Sequence, residues 1–164
     1  MPAAPLSELT QALLTEARRA GADAADAIAL TGTSVSIDVR QGALEQAERS
    51  EATDLGLRVF VGQRSAIMSS SATRPDAYAA IAERAVAMAK EAPIDPHSGL
   101  AEADQLAGTV DIAALELADP ASEPSAKELQ DDALSAEAAA LDTNLISQTQ
   151  SASAGYGARD IWMA

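Results

Sequence analysis

His97 is the only histidine in the chain, and there is no cysteine. A single imidazole cannot build the usual zinc site without several carboxylates or a second chain. Without cysteine there is no thiolate metal site, no disulfide and no thiol nucleophile. His97 stands in PIDPHSGLA, bounded by Pro and Gly, and reads as a solvated turn residue. To serve as a general base it would need a Ser or Asp placed to work with it, and the sequence singles out neither. Carboxylates occur in pairs at Asp23 and Asp26, Glu48 and Glu51, and Asp131 and Asp132. Acid–base chemistry by two carboxyl groups needs one of them in an apolar pocket. These neighbourhoods are polar, so the pairs read as solvated faces or helix ends.

Ser69-Ser70-Ser71 has no G-x-S-x-G elbow around it. Gly155 and Gly157 open no expected helix, so they form no phosphate loop. What remains is Arg58, Phe60 and Arg64. Burial of Phe60 under a helix is one reading, since sheets are often covered on both faces. The other is a contact with a second chain or an extended peptide, with Arg58 and Arg64 as hydrogen-bonding anchors. No catalytic and no metal-ligating residue emerges.

The stretch that positions these residues is DLGLRVFVGQRSAIMSSS, Asp54–Ser71. Leu55, Leu57, Val59 and Val61 alternate with Gly56, Arg58 and Phe60, the period of a half-buried strand. Gly62-Gln63 predicts a type II′ connection, and Arg64 to Ser70 returns with Ala66 and Met68 on one face and Ile67 on the other. This hairpin is expected at the centre of the sheet.

Around it, Leu6, Leu9, Leu13, Leu14 and Ala17 form one helical stripe, with Ser7 as N-cap and Gly21 as the closing residue. Ala24 to Leu30 and Val35 to Arg40 read as two strands separated at Thr31-Gly32-Thr33. Gln41-Gly42 turns into a polar edge strand, Ala43 to Glu51, whose acidic spacing also fits a helix. Thr73 and Asp76 resemble a capping box before a helix whose buried stripe is Tyr78, Ile81, Ala82, Ala85, Met88 and Ala89. Residues 93–124 are punctuated by Pro and Gly, with Ile112, Leu115 and Leu117 suggesting a short element. Ser125-Ala126-Lys127-Glu128 is a second capping box, opening a helix to about Leu141. From Leu145 the chain reads as one long strand, or two, to Ala164. The expected fold is α+β: a mainly antiparallel sheet packed by about three helices, in a single domain over residues 1–164.

The formal charge is −14, from 25 acidic and 11 basic residues. Such a balance argues against nucleic acid, where clustered Lys and Arg dominate affinity, and against an anionic membrane surface. Of the 164 residues 40 are Ala and only 4 are aromatic, so the core must come from Leu, Ile, Val and Met. The N-terminus lacks the basic and apolar regions of a signal peptide, and no stretch is long enough to span a membrane. A cytoplasmic location is the expectation.

VSIDVRQGALEQAERSEATDLGLRVFVGQRSAIMSSS resembles the opening sheet of the TldD/PmbA family, known also as modulators of DNA gyrase. KEAPIDPHSGLA is similar to that family's DP-x-x-GLA element, and SAKELQDDALSAEAAALD and QSASAGYGARDIWMA to the helix and polar strand that follow. The resemblance covers nearly the whole chain and favours the PmbA (TldE) branch. It implies the N-terminal domain of a longer protein, the C-terminal domain being absent from this chain. It further implies a subunit of a cytoplasmic heterodimeric zinc metalloprotease acting on unfolded or extended peptides, linked to microcin maturation and antitoxin degradation. Zinc is then expected only in a TldD-like partner, which holds it through a His-Glu-x-x-x-His segment and a Cys. None of those ligands has a counterpart here, so no cofactor is expected in this chain. The resemblance implies as partners a TldD-like subunit, or self-association, and peptide substrates. A stand-alone peptide-binding or chaperone-like module is the alternative.

Overall fold

The computed structural model describes residues 4–106, 108, 111, 113–117 and 119–164. In chain order the elements are α1 (Leu6–Ala20), β1 (Ala24–Arg40), β2 (Ala43–Val61), β3 (Arg64–Ser70), α2 (Pro75–Glu91), a 3-10 turn at Ala103–Gln105, α3 (Ala126–Leu141) and β4 (Ala152–Met163). The strands form one antiparallel sheet in the order β3-β2-β1-β4, which is the α+β class expected. Among the described residues no helix is long and apolar enough to cross a membrane.

The chain divides into two units. The first holds Met1–Thr31, Ala52–Val110 and Asp160–Ala164; the second holds Gly32–Glu51 and Asp111–Arg159. In the first, α1 and α2 lie together on one face of the sheet. Leu9, Leu13, Leu14 and Ala17 of α1 and Tyr78, Ala82, Ala85, Val86 and Ala89 of α2 bury Ala27, Ala29, Leu55, Leu57 and Val59. Alanine on both helices lets them approach the sheet closely, and the core is built with little aromatic mass. In the second unit the core is thinner: Leu129 and Ala133 of α3 cover Ile37 and Val39 of β1.

Several elements differ from the sequence reading. The two expected strands at 24–30 and 35–40 are one continuous strand. Gly32 is no turn: a Cβ there would lie 3.0 Å from Arg159 Cγ and 3.1 Å from the Ala158 carbonyl oxygen. It marks close approach of β4. The hairpin forms with Leu55 opposite Ser70 and Val61 opposite Arg64, and Gly62 has φ 57°. It is not central, however, because β3 is an edge and β1 and β2 are the inner pair. Its apolar density reflects the helices above it.

Residues 43–51 are strand, and in the second unit they form the edge beside β1. Ser7 is not the cap of α1, which starts after Pro5. Thr73 does not cap α2 either. The residue before a proline is extended, so the N-cap moves to Arg74, and the Thr73 carbonyl instead accepts from the Tyr78 hydroxyl. Met88 sits on the exposed flank of α2, and Val86 takes its place in the stripe. The capping box of α3 is present, with the Glu128 N–H donating to Ser125 Oγ at 3.2 Å. β4 starts only at Ala152, because Leu145 adopts φ 76° and breaks the extended run. Ile112 lies outside the described residues, and Leu115 falls in a turn.

Gly56 has the tightest surroundings of the glycines, since a Cβ would lie 2.7 Å from Ile28 Cγ2. That methyl belongs to a β-branched side chain on a paired strand and cannot swing away. Gly56→Ala is therefore expected to lower stability by about 1–3 kcal/mol in urea unfolding, despite the better strand propensity of alanine.

Candidate functional site

With α1 and α2 on one face of the first unit's sheet, alternation along each strand fixes what the other face carries. Arg58 is paired with Ile67 across the hairpin, and its Nε donates to both Asp26 oxygens at 3.0 and 3.1 Å. Ala27, on the helix side, exchanges both backbone hydrogen bonds with Ala164 at 2.8 and 3.0 Å. Ile161 and Met163, in the opposite phase to Ala164, therefore share the uncovered face with Asp26, Ile28, Arg58 and Ile67. Ile67 is 66% exposed, Ile161 57% and Met163 72%. This is an apolar row interrupted by an ion pair, and among the described residues no helix of the unit is laid over it.

Of the three residues singled out from sequence, Arg58 and Phe60 meet and Arg64 stands apart. Arg58 lies on this uncovered face, held by Asp26, with its guanidinium carbon 5.2 Å from the centroid of the Phe60 ring. The hydrogen bond to Asp26 raises the guanidinium pKa above its ordinary value. Phe60 is buried. Arg64 is in register with Val61 on the helix side and donates to the carbonyls of Lys90 and Ala92 at 2.6 and 3.0 Å, closing the C-terminus of α2. Ile67 was legible as an outward residue from the alternation of Arg64–Ser70. Its exposure was not, because a second layer of helices is equally compatible with that pattern.

The acids have structural duties. Asp23 Oδ2 accepts from the Gly62 N–H at 2.7 Å and so fixes the hairpin turn. Glu51 pairs with Arg49 and Asp131 with Lys127. His97 is exposed, in a turn where its N–H donates to Asp95 Oδ1 at 2.9 Å. Among the described residues no group of three His, Cys, Asp or Glu could hold a metal ion.

One carboxylate was missed. Glu137 of α3 is 2% exposed, in phase with Leu129 and Ala133 on the buried stripe. Its Oε1 accepts from the Gln41 N–H and from the Thr149 hydroxyl, and its Oε2 from the Gly42 N–H, each at 2.8 Å. Gln41 and Gly42 have φ 54° and 74°, the left-handed pair of a type I′ turn, which aims both amides at α3. Hydrogen bonds from the Gly42 N–H, then the Thr149 hydroxyl, hold the carboxyl below its usual range; burial opposes them, and the Gln41 N–H adds a smaller lowering. A lowered pKa does not suit a general acid, and the three bonds fasten the turn and Thr149 to α3. Beside it lies a polar cavity of 530 Å³ lined by Arg40, Gln41, Leu141 and residues 147–150. The signal was the spacing of four between residues 129, 133 and 137, hidden by the alanines around Glu137.

Residues 25–89, from the start of β1 nearly to the end of α2, match the family described as PmbA/TldA metallopeptidase domain 1. No curated protein matches the sequence. Among solved structures, TldE from Thermococcus kodakarensis aligns with a TM-score of 0.65 at 14% identity, over 94% of this chain and 34% of that one. A protein from Bacteroides thetaiotaomicron designated a modulator of DNA gyrase aligns at 0.62 and 15% identity, over 96% and 35%. One of like designation from Thermotoga maritima aligns at 0.52 and 16%, over 97% and 34%. At these identities the likeness is one of fold, and the chain spans about a third of the length of each structure.

Proposed function

We propose that this chain is the N-terminal domain of a PmbA/TldD-type protein, a reading supported by the match of residues 25–89 and by the fold shared with TldE, and that it works as the non-catalytic part of a PmbA (TldE)-like subunit. In this reading the subunit pairs with a zinc-bearing TldD-like protein in the cytoplasm, and the pair hydrolyses unfolded or extended peptides. This domain supplies part of the partner interface and part of the wall of an enclosed chamber. The zinc belongs to the partner.

The observation that carries the reading is the uncovered sheet face of the first unit, where Ile67, Ile161 and Met163 stand open on either side of the Arg58–Asp26 pair. Exposed apolar rows with a polar interruption are what a protein partner covers. Co-expression with the zinc-bearing homologue of the same organism tests it. The two proteins should co-elute in size exclusion, and Ile67→Lys should weaken the complex by about tenfold or more while leaving the thermal midpoint of the chain unchanged. Cleavage of a peptide by the chain alone would sink the proposal. Peptide binding by the chain with no affinity for the homologue would instead support the stand-alone module.

A further inference from the structure

The uncovered face of the first unit carries a pattern that is complementary to itself. In the order β3-β2-β1-β4 it presents Ile67, then Arg58, then Asp26, then Ile161 and Met163: apolar, cation, anion, apolar. A two-fold axis laid along the strands, between β2 and β1, sets β2 of one copy over β1 of the next and β3 over β4. Cation then faces anion, and apolar flank faces apolar flank. A lone charge, or two of one sign, would instead meet its own kind. The internal pair leaves groups to spare. Arg58 bonds Asp26 through Nε and Nη2, and among the described residues its Nη1 makes no hydrogen bond. The two side chains stay 44% and 31% exposed. A guanidinium presents its donors in a planar fork, so Nη1 can reach a second carboxylate.

We infer that a second copy of this chain covers the face, sheet against sheet, with Arg58 of each copy donating to Asp26 of the other. The charges then close a ring in which each has opposite charges on both sides, which offsets the water removed from them. Ile67 of each copy lies against the Ile161–Met163 flank of its mate. The sheets stand about 10 Å apart, at the small angle of aligned packing. Only about 14 Å separates the outer strands, so the dimer belongs to the small, transient class of interface. Two chains of formal charge −14 repel at long range, and moderate salt screens that repulsion more than it weakens the contact pairs. The face is the one assigned above to the zinc-bearing homologue, so the two unions exclude each other. The inference takes the face from that reading and not its occupant.

The test uses the chain alone, in sedimentation velocity at about 0.15 M salt and at protein concentrations from about 10 to 500 µM. The parent should pass from monomer to dimer across that range. Arg58→Asp leaves two acids at the centre of the face and Asp26→Arg leaves two cations. Each variant alone should therefore dimerise more weakly, by about tenfold or more. An equimolar mixture of the two should recover dimer, because two acids then face two cations. Arg58→Asp combined with Asp26→Arg keeps both the internal pair and the self-matching order, and should dimerise within about threefold of the parent. A parent that stays monomeric throughout overturns the inference. So does a dimer indifferent to the single swaps, since another surface then forms it. A monomeric double variant overturns it too, as does a monomeric mixture of single variants shown by circular dichroism to be folded. None of these failures touches the co-elution expected with the homologue.

Discussion

Glu137→Ala is expected to free the tip of the β1–β2 hairpin from α3. The two turn amides and the Thr149 hydroxyl all converge on this one carboxylate. Alanine would leave all three without that acceptor, at a site where a charged acceptor makes stronger bonds than a neutral one. Hydrogen exchange at Gln41 and Gly42 should quicken by about tenfold or more, and that of Ala133 and Leu129 beneath should follow in part.

The same carboxylate makes the second unit acid-sensitive, and the sign can be worked out. Its folded pKa is held below its ordinary value, which in an unfolded chain is about 4.3. The folded state therefore gains from the ionised form. That contribution is complete above the unfolded value and disappears as pH falls through the lower, folded one. Glu128, lowered by the Ser125 N–H and hydroxyl, acts in the same direction. Urea unfolding followed from pH 7 to pH 3 should show a loss that is smaller in Glu137→Gln. Equal acid losses in the two proteins would show that Glu137 contributes nothing to it.

Leu57→Ala is expected to cost about 3 kcal/mol, within the usual 2–5 for such truncations. Leu57 is fully buried on β2, in the cluster formed with α1 and α2. Many of its neighbours are alanines and sheet residues that have no spare side chain with which to fill a hole, so the cavity should persist. Against a total stability of about 5–15 kcal/mol for an ordinary domain, one methyl-rich side chain is then a large share of the whole. Fluorescence of Trp162, the only tryptophan and a member of the first unit, gives a probe of that unit's unfolding. Leu117→Ala, at an exposed position, serves as the control and should change stability by less than about 0.5 kcal/mol. A similar value at Leu57 would show the cluster to be loosely packed.

The legible parts of the fold were those in which one residue type does one job. The Leu stripe of Leu6–Ala20 and the alternation of Leu55–Val61 each gave an element of the right kind and place. The Ser125–Glu128 box gave the start of a helix to the residue. Reading failed where a residue's usual habit is overruled by a neighbour distant in sequence. Gly32 looks like a break, yet it sits in mid-strand because β4 crosses close to it. Thr73 looks like a cap, yet Pro75 shifts the helix entry by one residue. Glu137 looks like surface, yet the turn at 41–42 brings two amides to it. Of the candidate surface, the outward phase of Ile67 was readable. The openness of Ile161 and Met163 was not, because it depends on which strand β4 joins.

The Arg58–Asp26 pair has a further consequence for life in a crowded solution. It sits between Ile67 on one edge strand and Ile161 and Met163 on the other, splitting what would be a continuous oily strip. Any surface that settles on the strip must strip water from both charges unless it offers groups to replace that water. Indiscriminate stacking of one sheet upon another is thereby discouraged, as by the gatekeeper charges that flank sticky strands elsewhere. A surface that offers such groups covers the strip at lower cost than one that does not.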